Sequence, residues 1–483
     1  MSSQRASLLS LPDELLVRVF EHLRAEPTRN SQDLRSTSLT CHRLHAPAYV
    51  VLYRDVTFTW TERALARFAE SLKHNPDLES LVRRFSYEHR HISDDDTTRQ
   101  EDAVRTARLA ALLEHVCSKL SSLHELHLSS VDVATCLTVA SAQPYPTLRT
   151  FSLATSLKTH EVGAWRLFWM RLRSYPNLKR LDLLFTTLRR SVHEPSSVPD
   201  IALVQLPQLR HLVVCTDAWI LLFGSRVPFA HLAPNLTKLV VEATPRKKSW
   251  SSAASLISDL PPSLANLAIS TNKPFGPPPP GFLQHAQHVR DLQLGAGTFD
   301  ESELSNFLSR SPAVRHIRFN YYGAKVTDNV LQALTVSSRP PSLERISLEH
   351  VMATGTDVLA RDLDDITEGK HTDDVAYARL RQNLRPHLPP GSTVQGLQTA
   401  VDAARAADIA IEGRALSALD WDILFDNEVK HALMRHAVAT DRYDRVVERF
   451  GAGEVTAWLR KHRPNTLRLG GALDVAATNT EGA

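Results

Sequence analysis

Cysteine is scarce in this sequence, with four residues among 483. They stand at Cys41, Cys117, Cys136 and Cys215, and no two of them are spaced as Cys-x-x-Cys. So few thiols in so long a chain do not make a disulfide framework. The first residues also lack the basic start and the small-residue cleavage site of a signal peptide. We therefore expect a reducing compartment, cytoplasmic and/or nuclear.

An excess of charge of one sign is also lacking. The chain has 56 Lys and Arg residues against 53 Asp and Glu residues, which gives a formal net charge of +3. A balance this close to neutral does not indicate a nucleic-acid or membrane partner. No apolar run approaches the ~18 residues that are needed to span a bilayer. We expect the partners to include neither nucleic acid nor membrane.

Catalytic motifs are missing as well. The chain contains no P-loop, no Rossmann glycine pattern, no nucleophile elbow and no His-Glu-x-x-His. His89 and His91, with the acidic run 94–96, could be read as metal ligands. They lie in a polar, charged stretch, so solvated surface charge is the better interpretation. The sequence predicts no enzyme, no metal site and no cofactor.

What the sequence does have is a repeat. A six-residue template, apolar-x-x-apolar-x-apolar, recurs at spacings of 25 to 31 residues. Its first anchors are Leu123, Leu148, Leu178, Leu209, Leu236, Leu264, Val289, Val314 and Leu343. Two earlier segments, which start at Tyr53 and Val82, also fit. The last three positions alternate with the period of a short strand, and amphipathic helical segments precede most of these strands.

A single unit of this kind could not be stable by itself. Its three anchors contribute ~5–8 kcal/mol when they are buried, at ~1.5–3 kcal/mol each. Ordering ~25 residues costs several times as much in conformational entropy. The units must therefore stack on one another and share a continuous core.

This pattern resembles leucine-rich repeats, whose strands form a curved parallel sheet with helices outside it. The resemblance implies an α/β solenoid of about eleven units over residues 53–350, with a mobile insertion at 88–102. The Asn or Cys that regular repeats often carry after each strand is mostly replaced here, so we expect an irregular solenoid. Residues 351–468 are predicted to form a mostly helical C-terminal cap. The sequence does not decide whether residues 408–413 within it form a twelfth strand of the repeat. Residues 469–483 are predicted to be a disordered tail.

The N-terminal stretch SLPDELLVRVFEHL is predicted to be an amphipathic helix. Pro12 suits a first helical turn, and Asp13 and Glu14 complement the positive end of the helix dipole. The stretch up to the first repeat is too short to hide all of its apolar side chains in a core of its own. Some apolar face should remain for a partner, unless the helix only caps the solenoid.

Together with the segment that follows, this helix resembles an F-box. The matching residues of the first half are Leu11, Pro12, Glu14, Leu15, Val19, Phe20 and Leu23. Those of the second half are Leu34, Ser38, Leu39, Cys41, Arg43 and Leu44. The resemblance implies an F-box domain at 8–52, behind a flexible N-terminus at 1–7. It also implies docking onto the Skp-family linker of a cullin ubiquitin ligase. By position, the linker-binding residues would be Leu11, Pro12, Leu15, Leu16, Val19 and Phe20.

Both features together predict a non-catalytic substrate-recognition subunit of an SCF-type cullin ubiquitin ligase. Its F-box would hold the Skp-family linker, and through it a cullin, while its repeats bind an unidentified substrate protein for ubiquitin-dependent degradation. The alternative is a leucine-rich-repeat scaffold that binds a partner protein without acting in ubiquitination.

The repeats also predict which side chains face a substrate. If the strands line the concave face, the outward positions are the second, fourth and sixth after each first anchor. We hypothesise an apolar substrate anchor near Val213 and Val240, with acidic groups of the substrate held near Arg318. The candidate residues are Arg180, Asp182, Val213, Val240, His316, Arg318 and Arg345. The alternative is that β-branched residues simply suit strands.

Overall fold

The chain divides into two compact units in the computed structural model. The first comprises residues 1–273 and 278–290, and the second comprises residues 274–277 and 291–483. The residues that the structure describes are 9, 11–24, 34, 36–59, 62–88, 99–142, 145–155, 167–168, 170–185, 205–215, 229–243, 260–271, 282–295, 301–320, 326–337, 339–349, 363–366, 375, 378–380, 392–440 and 443–462.

Two helices, α1 (Asp13–Arg24) and α2 (His42–Arg54), begin the first unit. They pack together around a small apolar core. Its buried members are Leu16, Phe20, Leu34, Leu44, Ala48 and Val51. The Arg43 guanidinium on α2 donates to the carbonyl of Leu11 at 2.8 Å and pairs with the Asp13 carboxylate at 2.6 Å. This side chain therefore fastens the start of α1 to α2.

Among the described residues of the first unit, eight parallel strands follow, and they pair in chain order. They are β1 (Asp55–Thr59), β2 (Arg84–Glu88), β3 (Glu125–Ser129), β4 (Thr150–Thr155), β5 (Arg180–Phe185), β6 (His211–Cys215), β7 (Lys238–Ala243) and β8 (Asn266–Thr271). A parallel pair needs a crossover between its strands, and helices supply several of these crossovers.

The helices between these strands are α3 (Glu62–His74), α4 (Asp77–Leu81), α5 (Arg99–Lys119), α6 (Val133–Ala142) and α7 (Phe229–Leu232), with 3₁₀ turns at Leu172–Ser174 and Phe282–Ala286. Helix α3 shows how they pack. Its buried side chains recur three and four residues apart, at Leu65, Phe68 and Leu72, which places them on one face. The ring of Phe68 lies 5.3 Å from that of Phe58 on β1, so this face covers the sheet.

The described part of the second unit shows the same pattern, with four strands that pair in parallel. They are β9 (Asp291–Gly295), β10 (His316–Asn320), β11 (Arg345–Glu349) and β12 (Ala410–Glu412). The helices are α8 (Glu301–Arg310), α9 (Asp328–Gln332), α10 (Val394–Ala406), α11 (Trp421–Thr440), α12 (Asp444–Phe450) and α13 (Ala452–His462), with a π turn at Ala333–Ser337 and a 3₁₀ turn at Arg414–Ala418. Strand β12 settles the position that the sequence left open, because it pairs with β11 beyond residue 350.

The predicted α/β fold class is confirmed: a helical N-terminal domain precedes parallel strands that pair in chain order, with helices between them, as in a solenoid-like repeat. All nine first anchors are buried. Strand β3 alternates as predicted, since Leu126 and Leu128 are buried whereas Glu125, His127 and Ser129 are half-exposed. The second and fourth positions of successive repeats also stand opposite one another in the sheet register.

A ladder of polar side chains links the turns that precede the strands. Among the described residues, in six repeats the residue immediately before the first anchor donates a side-chain hydrogen bond to a turn carbonyl of the preceding repeat. The pairs are Thr147 to Leu123 (2.7 Å), Asn177 to Pro146 (2.7 Å), Asn235 to Pro207 (2.9 Å), Ser263 to Pro234 (2.8 Å), His288 to Pro261 (3.1 Å) and Ser342 to Val314 (3.0 Å). We call these six bonds the turn ladder. They satisfy backbone carbonyls that no strand or helix pairs.

The C-terminal helices have an apolar core of their own. Its buried residues are Leu363, Ile366, Leu380, Val429, Ala432, Leu433, Met434, Ala437, Val446, Val455, Trp458 and Leu459. The indole of Trp458 donates to His431 Nδ1 at 2.7 Å. The predicted tail at 469–483 lies outside the described residues. Of the predicted insertion at 88–102, Glu88 belongs to β2, 99–102 belong to α5, and 89–98 lie outside the described residues.

Candidate protein-binding surfaces

The N-terminal helix α1 divides its apolar residues between the interior and the surface. Leu16 and Phe20 are 0% and 1% exposed, so they hold α1 against α2 and offer a partner no side-chain surface in this conformation. Leu15 is 44% exposed, and Pro12 is exposed beside it at the helix start. Of the residues that the resemblance assigns to the linker, these two therefore present the most surface.

Two other assigned residues, Leu11 and Val19, are half-buried and pack against the edge of the small core. They can present only part of their surface. Leu39, which precedes α2, is 83% exposed. Its backbone N–H donates to the carbonyl of Ser36 at 3.1 Å, so a turn holds the side chain outward. The sequence matched Leu39 to the F-box pattern, but its exposure was not predicted.

A groove of about 1520 Å³ lies between the N-terminal helices and the start of the sheet in the first unit. Three stacked or tilted rings on α2 line it: the ring centroids of His45 and Tyr49 are 5.6 Å apart, and those of Tyr49 and Tyr53 are 4.6 Å apart. Burial, followed by the nearby Tyr53, raises the pKa of Tyr49, which keeps its hydroxyl protonated. Leu39 also lines this groove.

The outward face of β5 to β7 carries an ion pair beside apolar residues. The Arg180 guanidinium contacts both oxygens of Asp182, at 2.9 and 3.1 Å. The Asp182 side chain is 8% exposed and that of Arg180 is 47% exposed. In the register, Asp182 stands opposite Val213, and Val213 stands opposite Val240. The structure thus brings together these four predicted residues.

The same face is only partly open to solvent. Val213 is buried, whereas Val240 is half-buried, so Val240 presents the larger share of any apolar contact. Two residues farther along β7, the Glu242 carboxyl has its pKa raised, first by burial and then by the charge of Asp182. The apolar surface that a substrate could contact here is therefore smaller than the sequence predicted, because it consists mainly of Val240.

His211 was not among the predicted site residues. It stands between Arg180 and Lys238 in the register of β5, β6 and β7. Its Nε2 atom is buried and has no hydrogen-bond partner in the part of the chain that the structure describes. Burial and then the two flanking cations lower the pKa of His211 to about 4, so the ring is neutral at pH 7. The sequence did offer one indication of its position, because His211 is the second residue after the anchor Leu209 and such residues were predicted to face outward.

The remaining predicted residues belong to the second unit, on β10 and β11. The His316 ring contacts the Asp291 carboxylate, and its Nε2 lies 3.6 Å from Glu344. Arg345 lies 3.8 Å from Glu412. Arg318 is exposed and makes no hydrogen bond or ion pair with the residues that the structure describes. Of these three residues, Arg318 is therefore the one that contacts no carboxylate in the described ranges and whose charge is available to a ligand.

We searched the described residues for metal-binding clusters and for a reactive cysteine thiol. They contain no group of three or more His, Cys, Asp or Glu side chains placed to hold a metal ion. Cys117 is fully buried, and burial raises the pKa of its thiol to about 12, so the reactive thiolate does not form at neutral pH. No helix in the described ranges is both long and apolar enough to cross a membrane.

Comparison with known proteins identifies the N-terminal domain. A comparison with curated proteins finds no match. Among solved structures, the complex of Rad7 and Elc1 in yeast is similar with 12% sequence identity and a TM-score of 0.34, over 83% of this chain and 91% of the other. At that score the likeness carries no conclusion. Residues 8–59 match the F-box-like family model, and this chain therefore begins with an F-box-like domain.

Proposed function

We propose that the protein is the non-catalytic substrate-recognition subunit of an SCF-type cullin ubiquitin ligase. The F-box-like domain docks the Skp-family linker, and the repeats bind a substrate protein. The observation that carries this proposal is the family match at residues 8–59, on a helical pair that leaves Leu15 and Leu39 exposed. Both side chains lie within the matched domain, so a partner that covers them gains the free energy of their burial.

The burial pattern refines the proposed linker surface. Pro12, Leu15 and Leu39 make the direct contacts, with the exposed parts of Leu11 and Val19 at the edge. Fully burying a leucine side chain contributes ~1.5–3 kcal/mol, so the partly exposed Leu15 contributes roughly half of that. Leu16 and Phe20 contribute indirectly, because they hold α1 against α2 and thereby position the residues that contact the linker.

The repeats supply the proposed substrate surface. In the first unit it comprises Val240 and the Arg180–Asp182 pair, with Val213 beneath them. In the second unit it comprises Arg318, with His316 and Arg345 in its neighbourhood on β10 and β11. Parallel strands that present one outward side chain every second residue make a rigid surface of this kind without the cost of ordering loops.

Co-purification with a Skp-family linker tests this proposal. We expect the wild-type chain to form a stable complex and the Leu15→Asp/Leu39→Asp variant to lose it, since each change places a carboxylate in an apolar contact. Leu167→Asp is the matched control, because Leu167 is 53% exposed but lies outside the F-box-like domain. Circular dichroism should be the same for all three chains.

Two results would contradict the proposal. One is a wild-type chain that does not bind the linker, which favours a scaffold that acts outside ubiquitination. The other is a complex that survives the double substitution, whatever the effect of Leu167→Asp.

A further inference from the structure

A row of exposed cations follows the edge of the sheet at which β4 to β7 begin. Arg149, Lys179 and Arg210 each stand immediately before one of three consecutive strands, and Lys238 is the first residue of the next. All four side chains are exposed. We call these four residues the basic edge. It lies wholly within the first unit.

Backbone hydrogen bonds hold the basic edge in register. The N–H of Lys179 donates to the carbonyl of Arg149 at 2.8 Å, and the N–H of Arg210 donates to that of Lys179 at 2.8 Å. The N–H of Lys238 donates to the carbonyl of Arg210 at 2.9 Å. With neighbouring strands ~4.8 Å apart, four positive charges lie along roughly 14 Å.

In the described ranges the cations of the basic edge have no acidic partner, whereas cations at corresponding positions of three other repeats each have one. Arg84 pairs with Glu125 at 2.6 Å, Arg315 with Glu344 at 3.4 Å and Arg345 with Glu412 at 3.8 Å. None of the four basic-edge side chains makes a hydrogen bond or ion pair with any residue in the described ranges. Within these repeats Arg180, beside the row, is paired with Asp182.

A row of unpaired like charges is unfavourable in the free protein and is relieved by a ligand of opposite charge. The groups next to the row indicate what that ligand is. Two residues beyond Lys238 on β7 lies the half-buried Val240, and two residues beyond Arg180 lies the Asp182 carboxylate. The valine offers an apolar contact that a protein side chain can use and a phosphate backbone cannot, and the Asp182 carboxylate is already paired with Arg180.

We propose that the basic edge binds an acidic segment of the substrate protein, with an apolar side chain of that segment on Val240. This inference rests on the proposed function, because it names the substrate class that the repeats select. Its contribution is mainly to the rate of association and to specificity, since exposed charges act over about a Debye length.

Binding of a defined peptide to the full chain tests the proposal. The probe is a fluorescein-labelled peptide of sequence Ser-Glu-Glu-Glu-Glu-Leu-Ser-Leu, measured by anisotropy in 50 mM NaCl against the same peptide with Gln in place of Glu. We expect the acidic peptide to bind at least about tenfold more tightly. In 500 mM salt this preference should largely disappear.

A charge-matched pair of variants locates the site. Lys179→Glu/Arg210→Glu/Lys238→Glu should weaken binding of the acidic peptide by at least about tenfold. The control is Arg63→Glu/Arg67→Glu/Lys73→Glu, which makes the same change in net charge at exposed cations of α3 and should change affinity by less than about twofold. Circular dichroism checks that both variants are folded.

Three results would overturn the inference: equal affinity for the Glu and Gln peptides, equal losses in the two triple variants, or tighter binding of a 12-nucleotide single-stranded RNA than of the acidic peptide. Linker co-purification on the same samples separates this inference from the proposed function. Linker binding without selective peptide binding refutes the basic edge alone. Selective peptide binding without linker binding refutes the ligase assignment and leaves the basic edge in place.

Discussion

Replacing His211 by Asn is expected to remove part of the pH dependence of the protein's stability. The His211 ring lies on β6 with a buried Nε2 that has no hydrogen-bond partner among the described residues. Burial is the main cause that lowers its pKa to about 4, and the charges of Arg180 and Lys238 add to it, while Asp182 acts in the opposite direction. The folded protein therefore takes up this proton more reluctantly than the unfolded chain.

The direction of the effect follows from this difference. Above pH 6.5, the ordinary value of a histidine, the ring is neutral in both states and contributes no pH dependence. As the pH falls from 6.5 towards 4, the unfolded chain binds a proton that the folded chain does not, so the free energy of unfolding decreases. Between pH 7 and pH 5 the full shift gives about 2 kcal/mol; since the ring is only partly buried, solvent screening reduces this to about 1 kcal/mol.

Urea denaturation at pH 7 and pH 5 measures this effect. The chain has 22 histidines, so the wild type alone does not isolate one of them. The informative quantity is the difference between the wild type and His211→Asn in how far the free energy of unfolding falls between the two pH values. We expect the variant to lose about 1 kcal/mol less. An equal fall in both chains would refute the assignment of a low pKa to His211.

Two further changes test the packing. Phe20→Ala should cost about 3–5 kcal/mol, because Phe20 is 1% exposed in a core too small to absorb the loss; rapid proteolysis of the N-terminal helices would show this, and unchanged protection would contradict it. Gly413→Ala should lower stability by about 1–3 kcal/mol, since Gly413 has φ +115° and its new Cβ would lie 2.3 Å from the Leu348 carbonyl oxygen. In thermal denaturation, Gly453→Ala, with open space around it, should leave the melting temperature unchanged or raise it; equal effects of the two glycine changes would contradict the strain argument.

The parts of the fold that depend on periodicity were predictable from the sequence. Leu123 and its eight counterparts had to be buried, because a unit with three anchors cannot be stable without neighbours. The same spacing fixes the register of the sheet. Asp182, Val213 and Val240 are each the fourth residue after an anchor, and they stand opposite one another as predicted. These features follow from the order of apolar residues along the chain.

The parts that depend on contacts between distant residues were not predictable. Leu15 and Leu16 are identical in type, and only the packing of α1 against α2 decides which of them is buried. Likewise, the sequence shows an arginine at both 210 and 345. It does not show that, among the described residues, a carboxylate lies within 4 Å of Arg345 but not of Arg210. Ion pairs between repeats depend on side-chain geometry across strands, which the one-dimensional pattern does not contain.

The turn ladder bears on how such a chain can change during evolution. The distance between successive anchors varies from 25 to 31 residues, yet the donor always stands directly before its anchor, as at Asn177 and Ser342. Insertions between the end of a strand and the next donor therefore leave every hydrogen bond of the ladder in phase. An insertion between a donor and its anchor would instead shift the hydrogen bond out of register with the strand that follows. The repeats can thus acquire new binding loops after their strands at small cost, while their amino-terminal turns stay fixed.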